Sequence, residues 1–329
     1  MLQKLDGALP VIALTMGDPS GIGPEIVLKA LTDSEIASLA RFIVVGDKRV
    51  LRLAVTASVG LPDAEIQDVP TLENVSDFAF GKLDARYGRA AVEYIRVAAE
   101  MCLANRADAM VTAPINKEAV TMSGRLFSGH TEYIAEICGA IESRMLLSST
   151  RLSTVHVSTH VPLRRACELE TNRIVRTIEL GDAAMKLLGF EQPRIAICGL
   201  NPHAGEHGLF GDEDARVIVP AVETCRDRGI GCSGPYAADT IFLQALRGAF
   251  DLVVAMYHDQ GHIAMKLIDF EGTVNISLGL PIIRTSVDHG TAFDIAGRNK
   301  ADARSMKQAI RVAARMATQK KRLALANEQ

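Results

Sequence analysis

Short β-branched runs alternate with longer amphipathic stretches, and this alternation restricts the fold of the chain more than any other feature. PVIALTM (10–16), FIVVGD (42–47), DAMVTA (108–113), STVHVSTH (153–160), PRIAICGL (193–200), DLVVAMYH (251–258) and TVNISLG (273–279) read as strands. Between several of them lie segments such as GRAAVEYIRVAAEMCLAN (88–105) and NRIVRTIELGDAAMKLLGF (172–190), whose apolar residues recur at i, i+3, i+4 and i+7. Strand and helix in succession leave neighbouring strands parallel, so the expected class is α/β with largely parallel sheets. The stretch 302–325 reads as one charged amphipathic helix with a solvated face over a packed stripe.

A chain of 329 residues, 48% hydrophobic, can bury one large core or two lobes. No repeat, low-complexity tract or Gly/Ser linker divides it, so two lobes are expected to be joined by strands that cross between them. No apolar run reaches the roughly 18–20 residues of a membrane helix, and MLQKLDGALP lacks the parts of a signal peptide. The expectation is a cytoplasmic protein with no membrane partner. A net charge of −3, a pI near 6.3 and the absence of tryptophan argue against nucleic acid as a partner. The cysteines at 102, 138, 167, 198, 225 and 232 are scattered without a C-x-x-C pair, and read as reduced structural thiols.

Most polar motifs directly follow an apolar strand: GDPSGIGPE, TAPINK, TH at 159–160, NPHAGE and HDQGH. Ligands of open α/β sheets bind outside the carboxyl ends of strands, so these loops are expected to converge on one cleft. All eight histidines lie between residues 130 and 289. His156 and His160 stand four apart on a strand, which separates them by about 13 Å and prevents a shared ion. His258 and His262 have the same spacing, but Gly261 is expected to break any helix between them, leaving His258 at a strand end and His262 in a loop. What remains is one histidine from each of three strand-end loops, His160, His203 and His258. Three neutral imidazoles with an open position suit a catalytic divalent cation, although a structural role is the commoner fate of any single histidine.

GDPSGIGPE lacks both the third glycine of G-x-G-x-x-G and the G-K-[ST] of a P-loop. It reads equally as a tight turn capped by Asp18 or Ser20 and as a loop exposing backbone N–H groups near a cofactor. RTSVDHGTAFDIAGRNKA packs Arg284, Ser286, Asp288, His289, Thr291 and Asp294 close together. It suits either a nucleotide, held through Asp294 and loop backbone, or a solvated turn.

MGDPSGIGPE, TAPINK, GHTE, STH (158–160), LNPHAGE, ADT (238–240), YHDQGH followed by Lys266, VNISLGLPIIRTS and DHGTAFDIAG occur in this order. Together they resemble the 4-hydroxythreonine-4-phosphate dehydrogenase family from about residue 11 to the C-terminal helix. GIGPE and DHGTAFDIAG are also similar to the isocitrate and isopropylmalate dehydrogenases. The resemblance implies their two-lobed fold, with a cleft between a first lobe of 1–128 plus 286–329 and a second of 129–285. It further implies that His160, His203 and His258 bind a divalent metal (Zn, Mg, Mn or Co). His130, Thr131, Lys266, Asn275 and Arg284 fall on substrate-binding positions, and Gly290, Thr291 and Asp294 lie where NAD, or NADP, is held. Asp239 and Lys266 are the implied proton-transfer groups, and a homodimer completes the cleft.

The implied chemistry is oxidation of a 4-phosphorylated 3-hydroxy acid followed by loss of CO2. Vitamin B6 members resemble one another in an apolar residue after HDQG, whereas this chain has His262, like a subgroup acting on D-threonate or D-erythronate 4-phosphate. His262 would then contact a substrate hydroxyl, or else be a solvated loop residue. Alternatives are a non-catalytic sugar-phosphate-binding protein, a cis-dihydrodiol dicarboxylate dehydrogenase, and a metal hydrolase without nicotinamide.

Overall fold

The computed structural model describes residues 9–56 and 59–327. The amino-terminal stretch considered for a targeting signal lies, through residue 8, outside them. The strands in chain order are β1 (Val11–Thr15), β2 (Arg41–Gly46), β3 (Glu65–Asp68), β4 (Ala109–Thr112), β5 (Arg144–Ser148), β6 (Ser153–His156), β7 (Ile195–Cys198), β8 (Cys232–Tyr236), β9 (Leu252–Ala255), β10 (Val274–Leu278) and β11 (Ile283–Ser286). The chain forms two units, Met1–Ser143 with Leu280–Gln329, and Arg144–Gly279.

In the first unit the strand order is β3-β2-β1-β4-β11, all parallel. β1 and β4 are fully buried beyond Val11, as strands covered on both faces must be, and their near-continuous apolar sequences follow from that. Helix Ala85–Leu103 packs on β1, β2 and β4, and helix Arg304–Asn327 on β4 and β11. The first of these starts where Asp84 accepts the Arg86 N–H, and it buries Tyr87, Tyr94, Ile95 and Ala98 along one stripe.

In the second unit the order is β10-β5-β6-β9-β7-β8. β5 runs antiparallel to both neighbours, and the pairs from β6 to β8 are parallel. Leu147, Val253 and Ala196 point to the face covered by helices Ala238–Leu246 and His258–Ile268, where they pack with Ile241, Ala245 and Met265. Val155 and Leu252, of the opposite strand parity, meet helix Thr171–Leu187 at Gly181.

The sequence-based boundaries at 129 and 285 differ from these units. Helix His130–Ile137 packs against helix Ala85–Leu103, and β11 pairs with β4, so residues 130–143 and 280–285 join the first unit. His130, Thr131 and Arg284 therefore belong there, whereas Lys266 and Asn275 stay in the second.

Candidate active site

β6, β9 and β7 are adjacent and parallel, so their carboxyl ends lie side by side. His160 follows β6, His258 follows β9 and His203 follows β7, and the order of strands alone brings three distant loops to one end of the sheet. The His160 and His258 ring centroids are 5.7 Å apart. Two imidazoles bound to one ion at 2.0–2.1 Å would place their centroids roughly 5–6 Å apart, so this pair fits. His258 Nδ1 is 2.7 Å from Asp259 Oδ1 and His203 Nδ1 is 3.0 Å from Glu206 Oε2. A carboxylate can only accept, so both Nδ1 atoms carry the hydrogen and both Nε2 atoms present a lone pair, the arrangement that metal-binding histidines adopt. The donor chemistry fits a divalent cation, although among the described residues no three His, Cys, Asp or Glu side chains are gathered closely enough to hold one.

The expectation that Gly261 breaks the chain between His258 and His262 is corrected. Helix His258–Ile268 runs through it, and His262 is a helical residue. Gly261 is required by packing: a Cβ there would stand 2.4 Å from His156 Nε2. His156 is buried, and its Nδ1 lies 3.2 Å from the Met145 carbonyl, so Nδ1 carries the hydrogen and Nε2 accepts. His262 Nδ1–H donates to that Nε2 at 3.1 Å and lies 3.2 Å from the His258 carbonyl. Burial and the neighbouring His262 depress the His156 pKa to about 3, which agrees with a neutral ring. His156 is thus satisfied by partners within the core. The His258 and His262 rings stack, 3.6 Å between centroids and 13° from parallel. In-plane lone pairs of stacked rings cannot meet on one ion, so the two are not a chelating pair despite their helical spacing.

His203 sits in an unusual turn. His203, Ala204, Gly205, Glu206 and His207 all have φ between 41° and 83°, a left-handed run in which only Gly205 is a glycine. Such backbone costs L-residues about 1–2 kcal/mol each, or roughly 4–8 kcal/mol for the four others. The run is offset by carboxylates. Asp214, buried at the start of a π-helical turn, accepts the Leu200 N–H at 2.8 Å and the Asn201 N–H at 3.1 Å. Glu213 accepts the Asn201 amide at 2.7 Å. Neither residue stood out in the sequence. A helix in which i→i+5 bonding begins at an acidic residue shortly after a strand-end loop has no signature in hydrophobic periodicity.

Within the first unit, TAPINK is the centre. Arg284, 2% exposed, donates to Thr112 Oγ1 through Nη2 at 2.7 Å and Nε at 3.2 Å. Burial pulls its pKa to about 10, which leaves it a cation at neutral pH. The His130 ring bonds the Ala113 carbonyl, while its buried Nε2 has no partner. The engaged nitrogen is thus Nδ1–H, and Nε2 is an acceptor awaiting a donor. Burial, and then the charge of Arg284, push the His130 pKa well below its ordinary value. Thr131 is the second residue of the same helix.

The GDPSG stretch forms the tight turn, capped by Asp18, whereas the helix that follows carries no side-chain cap. Asp18 accepts the Ser20 N–H at 2.9 Å, Ser20 Oγ donates toward the Ala79 and Lys82 carbonyls, and helix Gly23–Leu31 has no side-chain cap. Asp18 Oδ2 is buried without a partner, and burial pushes this carboxyl up to about 6. The late glycine loop meets this turn through the Ile22 N–H, which donates to the Thr291 carbonyl at 3.0 Å. Beside it a Cβ on Gly290 would meet nothing within 4 Å, and His289 Nε2 is buried and unpartnered. Asp294 is exposed.

On β10, Asn275 pairs with Leu147 of β5, and Leu147 pairs with Thr154 of β6. Directly opposed residues share a face, so Asn275 lies on the side covered by helix His258–Ile268, and its Oδ1 is buried without a partner. Lys266 follows His258 and His262 at successive four-residue steps on that helix, its ammonium 4.5 Å from the Phe270 ring centroid. Asp239 is exposed in the first turn of helix Ala238–Leu246, which packs against the His203 turn.

An α/β protein with imidazoles along parallel strand ends in one unit and, in the other, a buried guanidinium beside an unpartnered acceptor has the side chains of an enzyme. Comparison with known proteins agrees. The sequence matches the family described as pyridoxal phosphate biosynthetic protein PdxA over residues 38–313. It is 46% identical to the D-threonate 4-phosphate dehydrogenase of Cupriavidus necator, covering 95% of this chain and 98% of that one. It is 44% identical to the 4-hydroxythreonine-4-phosphate dehydrogenase of Geobacter metallireducens, covering 94% and 96%. A crystal structure of 4-hydroxythreonine-4-phosphate dehydrogenase from Klebsiella pneumoniae superimposes with a TM-score of 0.83 at 41% identity, covering 94% and 99%. The chain belongs to the PdxA family, and it is a dehydrogenase of that type.

Proposed function

We propose that the chain carries out NAD- and divalent-metal-dependent oxidative decarboxylation of a 4-phosphorylated 3-hydroxy acid. D-Threonate or D-erythronate 4-phosphate, giving dihydroxyacetone phosphate and CO2, is preferred over 4-phosphohydroxy-L-threonine, which would give 3-amino-2-oxopropyl phosphate and CO2. The observation that carries the proposal is His130: a neutral ring with a buried, unpartnered Nε2 in the field of the Arg284 guanidinium. That is an open hydrogen-bond acceptor next to an anion anchor.

Arg284 and Thr131 bind a charged group of the substrate, His130 Nε2 accepts a hydrogen bond from a substrate hydroxyl, and Lys266 or Asp239 takes the proton of the hydroxyl being oxidised. NAD, with NADP as a possible substitute, would lie against Gly290, Thr291 and Asp294 and accept the hydride. A divalent cation would be held by His160, His203 and His258 and supply positive charge that acidifies the hydroxyl and favours loss of CO2. Asn275 Oδ1 accepts from a second substrate hydroxyl. Lys266 and Asp239 handle the proton that replaces the departing carboxyl group, and the active protein is a homodimer.

Preference for the hydroxy acid is supported by the 46% identity to a D-threonate 4-phosphate dehydrogenase and by His262. The 44% identical relative named for 4-hydroxythreonine 4-phosphate keeps the amino substrate as the second reading. The test is incubation of metal-loaded protein and NAD with each of the three 4-phosphates while NADH absorbance is followed. NADH from at least one is expected, and none from any would overturn the proposal.

A further inference from the structure

We infer that Asp214 and Gln260 are positioning residues that set His203 against His258 by clamping the main chain between them. The inference rests on the reading of His203 and His258 as cation ligands and identifies what aims them. β7 ends at Cys198, and the next residues lead into the left-handed turn that carries His203. Three successive main-chain groups at this junction are held from outside. The Gly199 carbonyl accepts from Gln260 Nε2 at 2.8 Å, and the Leu200 and Asn201 N–H groups donate to the two oxygens of Asp214 at 2.8 and 3.1 Å.

Gln260 lies on the helix that begins with His258, and its Oε1 accepts the Met256 N–H at 2.7 Å. One amide thus spans from the end of β9 to the end of β7, joining the chain before His258 to the chain before His203. Both of its ends are used, so its orientation is fixed. Asp214 is 2% exposed, and both its oxygens are committed. Neither side chain is one of the proposed ligands. Gly199 leaves room for this carboxylate: a Cβ there would stand 2.7 Å from Asp214 Oδ1. The left-handed turn is a minority conformation that needs outside restraint, and these side chains supply it.

Metal-stripped protein is titrated calorimetrically with Mn2+ alone, comparing wild type with Asp214→Asn, Gln260→Met and His203→Ala. Asparagine can accept one of the two N–H groups but turns its own NH2 toward the other. Methionine keeps the length of glutamine and loses both bonds. Each clamp variant is expected to lower Mn2+ affinity by roughly ten- to a hundredfold, as loss of a group that orients a ligand does. Adding His203→Ala to either is expected to cost little more, because the orienting residue acts only through His203. If His203→Ala weakens Mn2+ binding while both clamp variants bind like wild type, the inference is overturned and the ligand assignment stands. If His203→Ala itself has no effect, the assignment fails and the inference falls with it. Should Asp214→Asn not fold, Gln260→Met decides alone.

Discussion

Gly261 sets two effects of opposite sign against each other. As an interior helical glycine it is costly, and Gly261→Ala should by propensity alone stabilise the protein by about 1 kcal/mol. Packing opposes this. The added Cβ would stand 2.4 Å from His156 Nε2 and 3.0 Å from both His156 Cδ2 and Thr154 Oγ1. His156 has no room to retreat, being 1% exposed and tied to the Met145 carbonyl on its far side. Overpacking of this kind costs roughly 1–3 kcal/mol. Displacing the ring also breaks the bond from His262 and strands a buried acceptor, for roughly another 1–3 kcal/mol. After subtracting the propensity gain, the variant is predicted to be less stable by about 1–5 kcal/mol. Each kcal/mol lowers the melting temperature by roughly 1–2 °C for a protein of this size. Urea and thermal unfolding followed by circular dichroism measure both quantities. The control is the same substitution in a His156→Ala background, where only the 3.0 Å contact with Thr154 Oγ1 remains and the loss should shrink markedly. A Gly261→Ala single variant with an unchanged or raised midpoint would refute the packing account and leave Gly261 an ordinary surface-style glycine.

Other consequences can be measured independently. Asn275→Leu removes a buried oxygen that has no partner, so the melting temperature should hold or rise while KM for the phosphorylated acid increases roughly tenfold; a stability loss of several degrees would contradict this. Arg284→Lys keeps the charge but loses the planar fork bound to Thr112, and kcat/KM should drop about ten- to a hundredfold in steady-state assays. Acid should weaken the fold in a defined way. His130 and His156 have folded pKa values below the ordinary one, so the unfolded chain binds two more protons once pH falls below about 6.5. Asp18, raised to about 6, works the other way, because the folded state binds its proton first. The balance is one proton, and unfolding free energy from urea titrations should decrease by about 1.4 kcal/mol from pH 6 to pH 5. A rise over that interval would mean that Asp18 outweighs both histidines.

Much of the fold was legible because a parallel sheet covered on both faces demands near-continuous apolar strands, and β1, β4, β7 and β9 have them. Strands with one-sided or little burial left no such mark. β3 is EIQD, half exposed, and β8 is CSGPY, an edge strand that tolerates Pro235 because only one side is paired. The unit boundary was misplaced because the apolar stripe of helix His130–Ile137 shows that it packs, without showing that its partner is helix Ala85–Leu103. The strand-end histidines were legible since each follows an apolar run. Gly261 was misread because its role is decided by an imidazole on another strand, which local propensity cannot register. The left-handed turn at His203 was hidden for the same reason, since the carboxylate that holds it lies on a later element. Asp214 and Gln260 are ordinary polar residues in the sequence, and only burial and bonding distinguish them.

The central claim is oxidation coupled to decarboxylation with preference for a hydroxy acid. Its most direct test is kcat/KM for D-threonate 4-phosphate against 4-phosphohydroxy-L-threonine, with dihydroxyacetone phosphate measured against NADH in the first reaction. The predicted result is a larger kcat/KM for the acid and equal amounts of the two products. A preference for the amino substrate, or NADH formed without dihydroxyacetone phosphate, would contradict it.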